Sequence, residues 1–205
     1  MYPPVPKKVP DYVPDIIRTG VVLALTAIYE GKVFDEKTNC PRCGSTRIVR
    51  LGRKEKVLAT VITDEGFREI RVKLQKYRCN ECRYYFVSNG PFYKDTMYGK
   101  PIVDTALMLG MSMPANAAEK VLMNFGIQLD KCSILNYMRA FADRSRELAP
   151  LVKGEGGGLY AASLLKVMFG VKSADELSRK LEAGVLGSIT DETYPRVKGA
   201  GSWTS

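Results

Sequence analysis

The chain has 205 residues, 31 Lys+Arg against 22 Asp+Glu, and no histidine. The missing imidazole excludes Ser-His-Asp triads, Cys-His dyads and His-ligated metals, leaving carboxylates, lysine, tyrosine or a metal for any chemistry. The charge is lopsided: residues 1–100 hold 19 Lys+Arg and 11 Asp+Glu, residues 101–205 hold 12 and 11, and most of the excess lies between Cys40 and Cys82.

Residues 1–37 open with a proline-rich stretch, MYPPVPKKVPDYVP, leading into a helix predicted over 15–30. Its apolar run VVLALTAIY (21–29) is half of the roughly 20 residues a membrane span needs. It also lacks a signal peptide's small-residue cleavage pattern, so a buried helix in a cytoplasmic, nucleoid-associated protein is expected.

Residues 38–90 carry two C-x-x-C knuckles, Cys40-Pro-Arg-Cys43 and Cys79-Asn-Glu-Cys82. Two such pairs supply four thiolates in a tetrahedron, which suits structural Zn²⁺ with no open coordination position. Disulfides are disfavoured by the lack of secretory signals, and a redox motif needs one pair beside a βαβ unit. Between the knuckles the sequence alternates in β-branched and charged residues and turns at Asp64-Glu65-Gly66, which predicts a long hairpin: a zinc ribbon. Its Arg47, Arg50, Arg53, Lys54, Arg71, Lys73 and Lys76 form a basic surface for a polyanion, double-stranded DNA above all. A solubilising surface is the plainer alternative. Asp64-Glu65 resembles the acidic hairpin tip of transcript-cleavage factors, and is also good turn chemistry. Cys132 is expected to be a partly buried small side chain.

Over 91–150 the period becomes helical. Helices are predicted at 102–111 after Pro101, at 115–126, and at 131–148, capped by Asp130 and stopped at Pro150. Ile134, Leu135, Met138, Phe141 and Ala142 make an apolar stripe. Lys131, Ser133, Asn136 and Arg139 lie at the tip or on the other face, where a helix-turn-helix presents its base-reading residues. An ordinary three-helix bundle fits the same pattern. Residues 151–184 read as a glycine linker (153–158) and two helices, the second opened by a capping box at Ser173–Glu176 and closed by Gly184. Residues 185–205 begin a strand bearing Asp191-Glu192-Thr193-Tyr194.

The order YRCNECRYYF, helices, GIQLDKCSILNYMRAFADRSREL and then DETYPRVKG resembles the N-terminal part of insertion-sequence transposases of the DDE class. The resemblance covers roughly residues 38–150 and 188–200. It implies an α+β protein: a zinc ribbon, a helix-turn-helix module, and the start of a truncated RNase H-like domain. Asp191 would be the first of three catalytic acids, with Mg²⁺ bound only in a full-length relative that has all three. The expected function is recognition of element ends on double-stranded DNA without cutting by this chain alone, a homodimer being left open. The alternative is a stand-alone zinc-ribbon and helix-turn-helix regulator.

Overall fold

The computed structural model describes residues 15–36, 39–152, 157–173 and 175–183. The expectations for Asp191 and its strand, for residues 153–156 of the linker and for Gly184 lie outside the described residues, while Gly157 and Gly158, also expected in the linker, are helical. In chain order the elements are α1 (Asp15–Tyr29), β1 (Val33–Phe34), β2 (Ile48–Thr63), β3 (Gly66–Cys79), β4 (Tyr85–Val87), α2 (Lys100–Ser112), α3 (Ala115–Asn124), α4 (Lys131–Ala140), α5 (Ala142–Val152) and α6 (Gly157–Phe169), with a further helix, α7, over 175–183.

The hairpin forms where alternation predicts it. β2 and β3 pair antiparallel from Ile48↔Cys79 at the knuckle end to Thr63↔Gly66 at the turn. The Thr63 hydroxyl donates to the Gly66 carbonyl at 2.9 Å and closes that turn. Two short strands complete the sheet on the outer side of β3: β1 runs parallel to it at Val33↔Lys73, and β4 antiparallel at Lys76↔Val87. Neither is long enough to leave a periodic signal in the sequence.

The sheet changes its buried face part-way along. Side chains alternate sides on a strand, and Ile70, Val72 and Leu74 are buried on one side of β3, followed by Gln75, Tyr77 and Cys79 on the other. The turn half lies against helices. There Leu58, Val61, Ile70 and Val72 share one hydrophobic core with Leu25 of α1, Leu107 of α2, Leu122 of α3 and Ile134 of α4. Each such fully buried aliphatic contributes about 1.5–3 kcal/mol. The knuckle half of β2 is bare, since residues 49–55 are all exposed. A bulge between Arg50 and Arg53 interrupts the ladder there. The buried Gln75 amide repairs it, donating to the carbonyls of Leu51 at 3.0 Å and Gly52 at 3.2 Å.

Helix α2 starts as expected, with proline in its first turn, where the missing N–H costs nothing. Helix α3 ends in a Schellman motif: Gly126 N–H reaches Met123 O at 2.9 Å and Ile127 N–H reaches Leu122 O at 2.9 Å. Gly126 has φ +77°, and a Cβ on it would meet Val22 Cγ2 at 2.7 Å. Gly126→Ala should therefore cost about 1–3 kcal/mol in thermal unfolding; an unchanged midpoint would show that α1 yields freely. The next residues are tied to the edge of β2, with Ile62 N–H donating to Gly126 O and Gln128 N–H to Thr60 O.

The single helix expected over 131–148 is two. The chain leaves helical geometry at Phe141 (φ −120°, ψ 43°), whose ring packs on Tyr93 at 4.9 Å. The break rotates α5 relative to α4, so Ala142 is exposed, and Leu135 is 41% exposed. Neither joins the buried stripe that the helical period predicts. Ile134 alone is fully buried, with Met138 and Phe141 half-buried beside it and Tyr137 joining them. Gly110 of α2 makes room for this contact, since a Cβ there would stand 2.4 Å from Met138 Sδ. Pro150 does not stop the chain either, but sits inside α5. It lies in the last turn, where the hydrogen bond it forfeits is one of the last in the helix. Further on, Ser173 Oγ accepts from Glu176 N–H at 3.2 Å, while the Glu176 carboxylate reaches back to Lys172 N–H at 2.8 Å. That is the expected capping box with its return bond one residue earlier. Among the described residues no helix is long and apolar enough to cross a membrane.

Candidate metal centre

The two knuckles are near copies in their hydrogen bonding. Cys40 N–H donates to Ser45 O at 2.9 Å, and Cys79 N–H donates to Tyr84 O at 2.9 Å, the same five-residue step. Each turn is completed by a left-handed residue directly after its second cysteine: Gly44 at φ +71° and Arg83 at φ +57°. Glycine at the first is a legible sign; arginine at the second is not. The knuckles are held to each other by Asn80 N–H on Arg47 O at 2.9 Å and by the Arg47–Glu81 ion pair at 2.9 Å.

This frame brings Cys40, Cys43, Cys79 and Cys82 together, with all four sulfurs within 4.8 Å of one another. The Cys40–Cys82 and Cys43–Cys79 pairs are 3.6 Å apart. A disulfide needs about 2.05 Å, whereas tetrahedral thiolates at a Zn–S distance of about 2.3 Å stand about 3.8 Å apart. The four cysteines could hold a metal ion, and their all-sulfur donor set suits a soft or borderline one.

The backbone also prepares the sulfurs. Cys79 is lowered to about 7, first by the Cys82 N–H and, against burial, by the Glu81 N–H. Burial is the largest influence on Cys40 and raises it, but N–H groups of Arg42 and Cys43 and its sulfur neighbours outweigh that, and it too is lowered. For Cys43 the Ser45 N–H lowers, yet the neighbouring sulfurs and burial push it up to about 12. Packed thiols that cannot all ionise beside one another are a ready place for a cation.

The basic residues expected to meet DNA fall into separate groups. Cross-strand partners share a face, so Arg50 (opposite Tyr77), Arg53 (opposite Gln75), Arg71 and Lys73 lie on one side of the sheet. Lys54 (opposite Leu74) and Lys76 lie on the other. Arg47 and Arg50 are committed to Glu81 and Asp35, and Asp35 also accepts from the buried Tyr77 hydroxyl. Arg71 pairs with Glu69, and Lys73 stands opposite Glu55. Both line a cleft of about 260 Å³ shared with Glu30 and Glu55, where the field is mixed. Arg53, Lys54 and Lys76 have no ion-pair partner among the described residues.

On α4, Lys131, Asn136 and Arg139 are exposed and Ser133 is half-buried. The Asp130 carboxylate accepts from Ser133 N–H at 2.9 Å and from the Ser133 hydroxyl at 2.7 Å. Burial raises Asp130, but these bonds outweigh it and hold the carboxyl below its usual range. Its charge therefore occupies the helix N-terminus that would otherwise attract phosphate. A depressed folded-state value means stability present above the ordinary Asp range and lost as pH falls through it. Asp130→Ala should cost about 1 kcal/mol at neutral pH and less in acid, as pH-dependent urea melts would show. Cys132, expected to be partly buried, is exposed. Asp64 and Glu65 are exposed on a turn whose adjoining strand residues are buried against helices, a setting that favours turn chemistry over a free-standing tip.

No family model matches the chain, and no curated protein or solved structure matches it significantly.

Proposed function

We propose that the four-cysteine cluster holds a structural Zn²⁺, and that the ribbon it fastens binds double-stranded DNA together with α4. The observation that carries this reading is the placement of the cluster. It sits at the root of a hairpin half whose β2 residues 49–55 are all exposed and which carries Arg53, Lys54 and Lys76, cations without an ion-pair partner among the described residues. A small half-sheet with little core of its own needs a metal to hold its shape. Cations kept free of carboxylates suit phosphate better than a merely solvated surface does. The order of motifs, ribbon then helices then DETYPRVKG, supports placing this DNA-binding unit in a DDE transposase, at the step of element-end recognition. Asp191 would then belong to the catalytic domain, and Mg²⁺ to a relative carrying all three acids.

Anisotropy of a labelled duplex titrated at several salt concentrations tests the reading. Arg53→Glu with Lys54→Glu should weaken all sequences alike and reduce the slope of log K against log salt by about 0.9 for each phosphate no longer neutralised. Asn136→Ala or Arg139→Ala should instead relax selection at one base position, by about 1–3 kcal/mol there. Salt-independent binding, or ribbon variants that bind as the parent does, would remove the ribbon from the interface.

A further inference from the structure

The face of the sheet that carries Lys54 and Lys76 holds a feature that duplex binding does not use. Val49 pairs with Arg78 and Arg78 with Tyr85, so these three side chains form one row across three strands. The next row on that face holds Lys76 beside Val87, and the row beyond it Lys54. Tyr85 is 62% exposed and Val49 39%, and Lys54, Lys76 and Arg78 are exposed too.

Tyr85 is exposed but well supported. Its neighbours Tyr84 and Phe86 point to the opposite face, where Phe86 stacks on the buried Tyr77 at 5.4 Å and Tyr84 on Phe86 at 6.4 Å. That stack fixes β4 and so fixes where the Tyr85 ring stands. Arg78, like Lys54 and Lys76, has no ion-pair partner among the described residues. Of the acids in this half, Asp35 and Glu81 are committed to Arg50 and Arg47, and Glu55 stands opposite Lys73 on the other face of the sheet.

We infer that this face, with Tyr85, Arg78, Lys76 and Lys54, is a binding strip for an unpaired DNA strand. The inference rests on the ribbon being a nucleic-acid-binding element and adds which form of the strand this face takes. A free ring set among cations matches a polymer that alternates flat bases with phosphates. Adjacent strands stand about 4.8 Å apart and same-face residues about 6.6 Å apart along a strand, so Arg78 lies one strand from the ring, Lys76 one row farther on and Lys54 about 16 Å away, a strip long enough for a few nucleotides. A duplex offers phosphates to the cations but keeps its bases stacked on each other, and would leave the ring against sugar and phosphate. An acidic peptide would satisfy the cations and leave the ring unmatched.

The test uses the full chain with its metal content verified and three fluorescent probes: oligo(dT) of about 12 nucleotides, a duplex of that length, and oligo(rU). Tyr85→Ala should weaken oligo(dT) binding about tenfold and Tyr85→Phe should restore it, because stacking needs the ring and not the hydroxyl. Duplex binding should be unchanged in both variants. Equal oligo(dT) binding by parent and Tyr85→Ala, or an equal loss on duplex, would overturn the strip while leaving duplex recognition standing. Tighter binding of oligo(rU) than of oligo(dT) would overturn the assignment to DNA. A parent that binds oligo(dT) in this Tyr85-dependent way and no duplex at all would sink the duplex reading alone.

Discussion

Replacing Cys79 with serine should empty the cluster of metal and loosen the knuckle half of the sheet while the helices stay folded. Cys79 is buried and its sulfur lies 3.6 Å from that of Cys43. Removing the fourth ligand from a closed tetrahedron leaves an open, weakened site. Structural zinc in small domains is worth an apparent binding free energy of about 10–16 kcal/mol. The knuckle half has few other large buried groups, chiefly Tyr77 and Gln75, so little remains to hold it. The helices pack on the turn half, where Leu58, Ile70, Leu107 and Ile134 are fully buried away from the cluster's end of the hairpin. Hydrogen exchange read by mass spectrometry should show residues 40–57 and 76–87 losing protection in Cys79→Ser or in chelated protein, with α2 and α4 unaffected. Protection unchanged at the knuckles would mean that the hairpin holds itself.

Asp104→Ala should be the most damaging change among the charged residues of the helices. The carboxylate of Asp104 lies 2.7 Å from Arg144 Nη2 and accepts the Tyr93 hydroxyl at 2.7 Å. Its side chain is 9% exposed, against 35% for Arg144. Arg144 is held well above its ordinary value, chiefly by that hydrogen-bonded pairing, and Tyr93 is pushed up by burial and then by Asp104. One carboxylate therefore joins the loop before α2, α2 itself and α5. Removing it leaves the Tyr93 hydroxyl without its acceptor and Arg144 with only Glu147, 2.6 Å from its Nη1; breaking a buried pair costs about 3–5 kcal/mol. The partial exposure of Arg144 brings the expected loss to about 2–4 kcal/mol. Urea unfolding measures it, and Asp104→Ala combined with Arg144→Met should recover part of the loss. A loss under about 1 kcal/mol would rank the pair with ordinary surface bridges.

The features legible in the sequence are those that depend on near neighbours. The hairpin and its Asp64-Glu65 turn, the pairing of the knuckles and the cap at Asp130 each rest on a few adjacent residues whose chemistry leaves little choice. The break at Phe141 is hidden because no local residue in 131–148 forbids a continuous helix, and the Tyr93 ring that Phe141 meets there is distant in sequence. Ala142 departs from the predicted stripe at that break, whereas Leu135, within α4, lies beside the face formed by Ile134, Tyr137 and Met138. The grouping of the cations is hidden too: the bulge after Arg50 shifts the alternation, so spacing alone does not tell that Arg53 faces with Arg50 and Lys54 with Lys76. Arg83, in left-handed backbone, carries no mark in its identity. The strip around Tyr85 depends on β4, a strand of three residues, whose pairing partner only the fold supplies.

One binding measurement decides whether the cysteine-fastened ribbon is the element that grips DNA. Protein as purified and protein stripped of metal by chelator should be titrated against the same random-sequence duplex across a range of salt. The first sample should carry one zinc per chain and bind with a steep salt slope, and stripping should remove most of that affinity and slope until zinc is returned. Equal affinity and equal slope in the two samples would contradict this, since the cations of the ribbon would then be making no contact that depends on the metal.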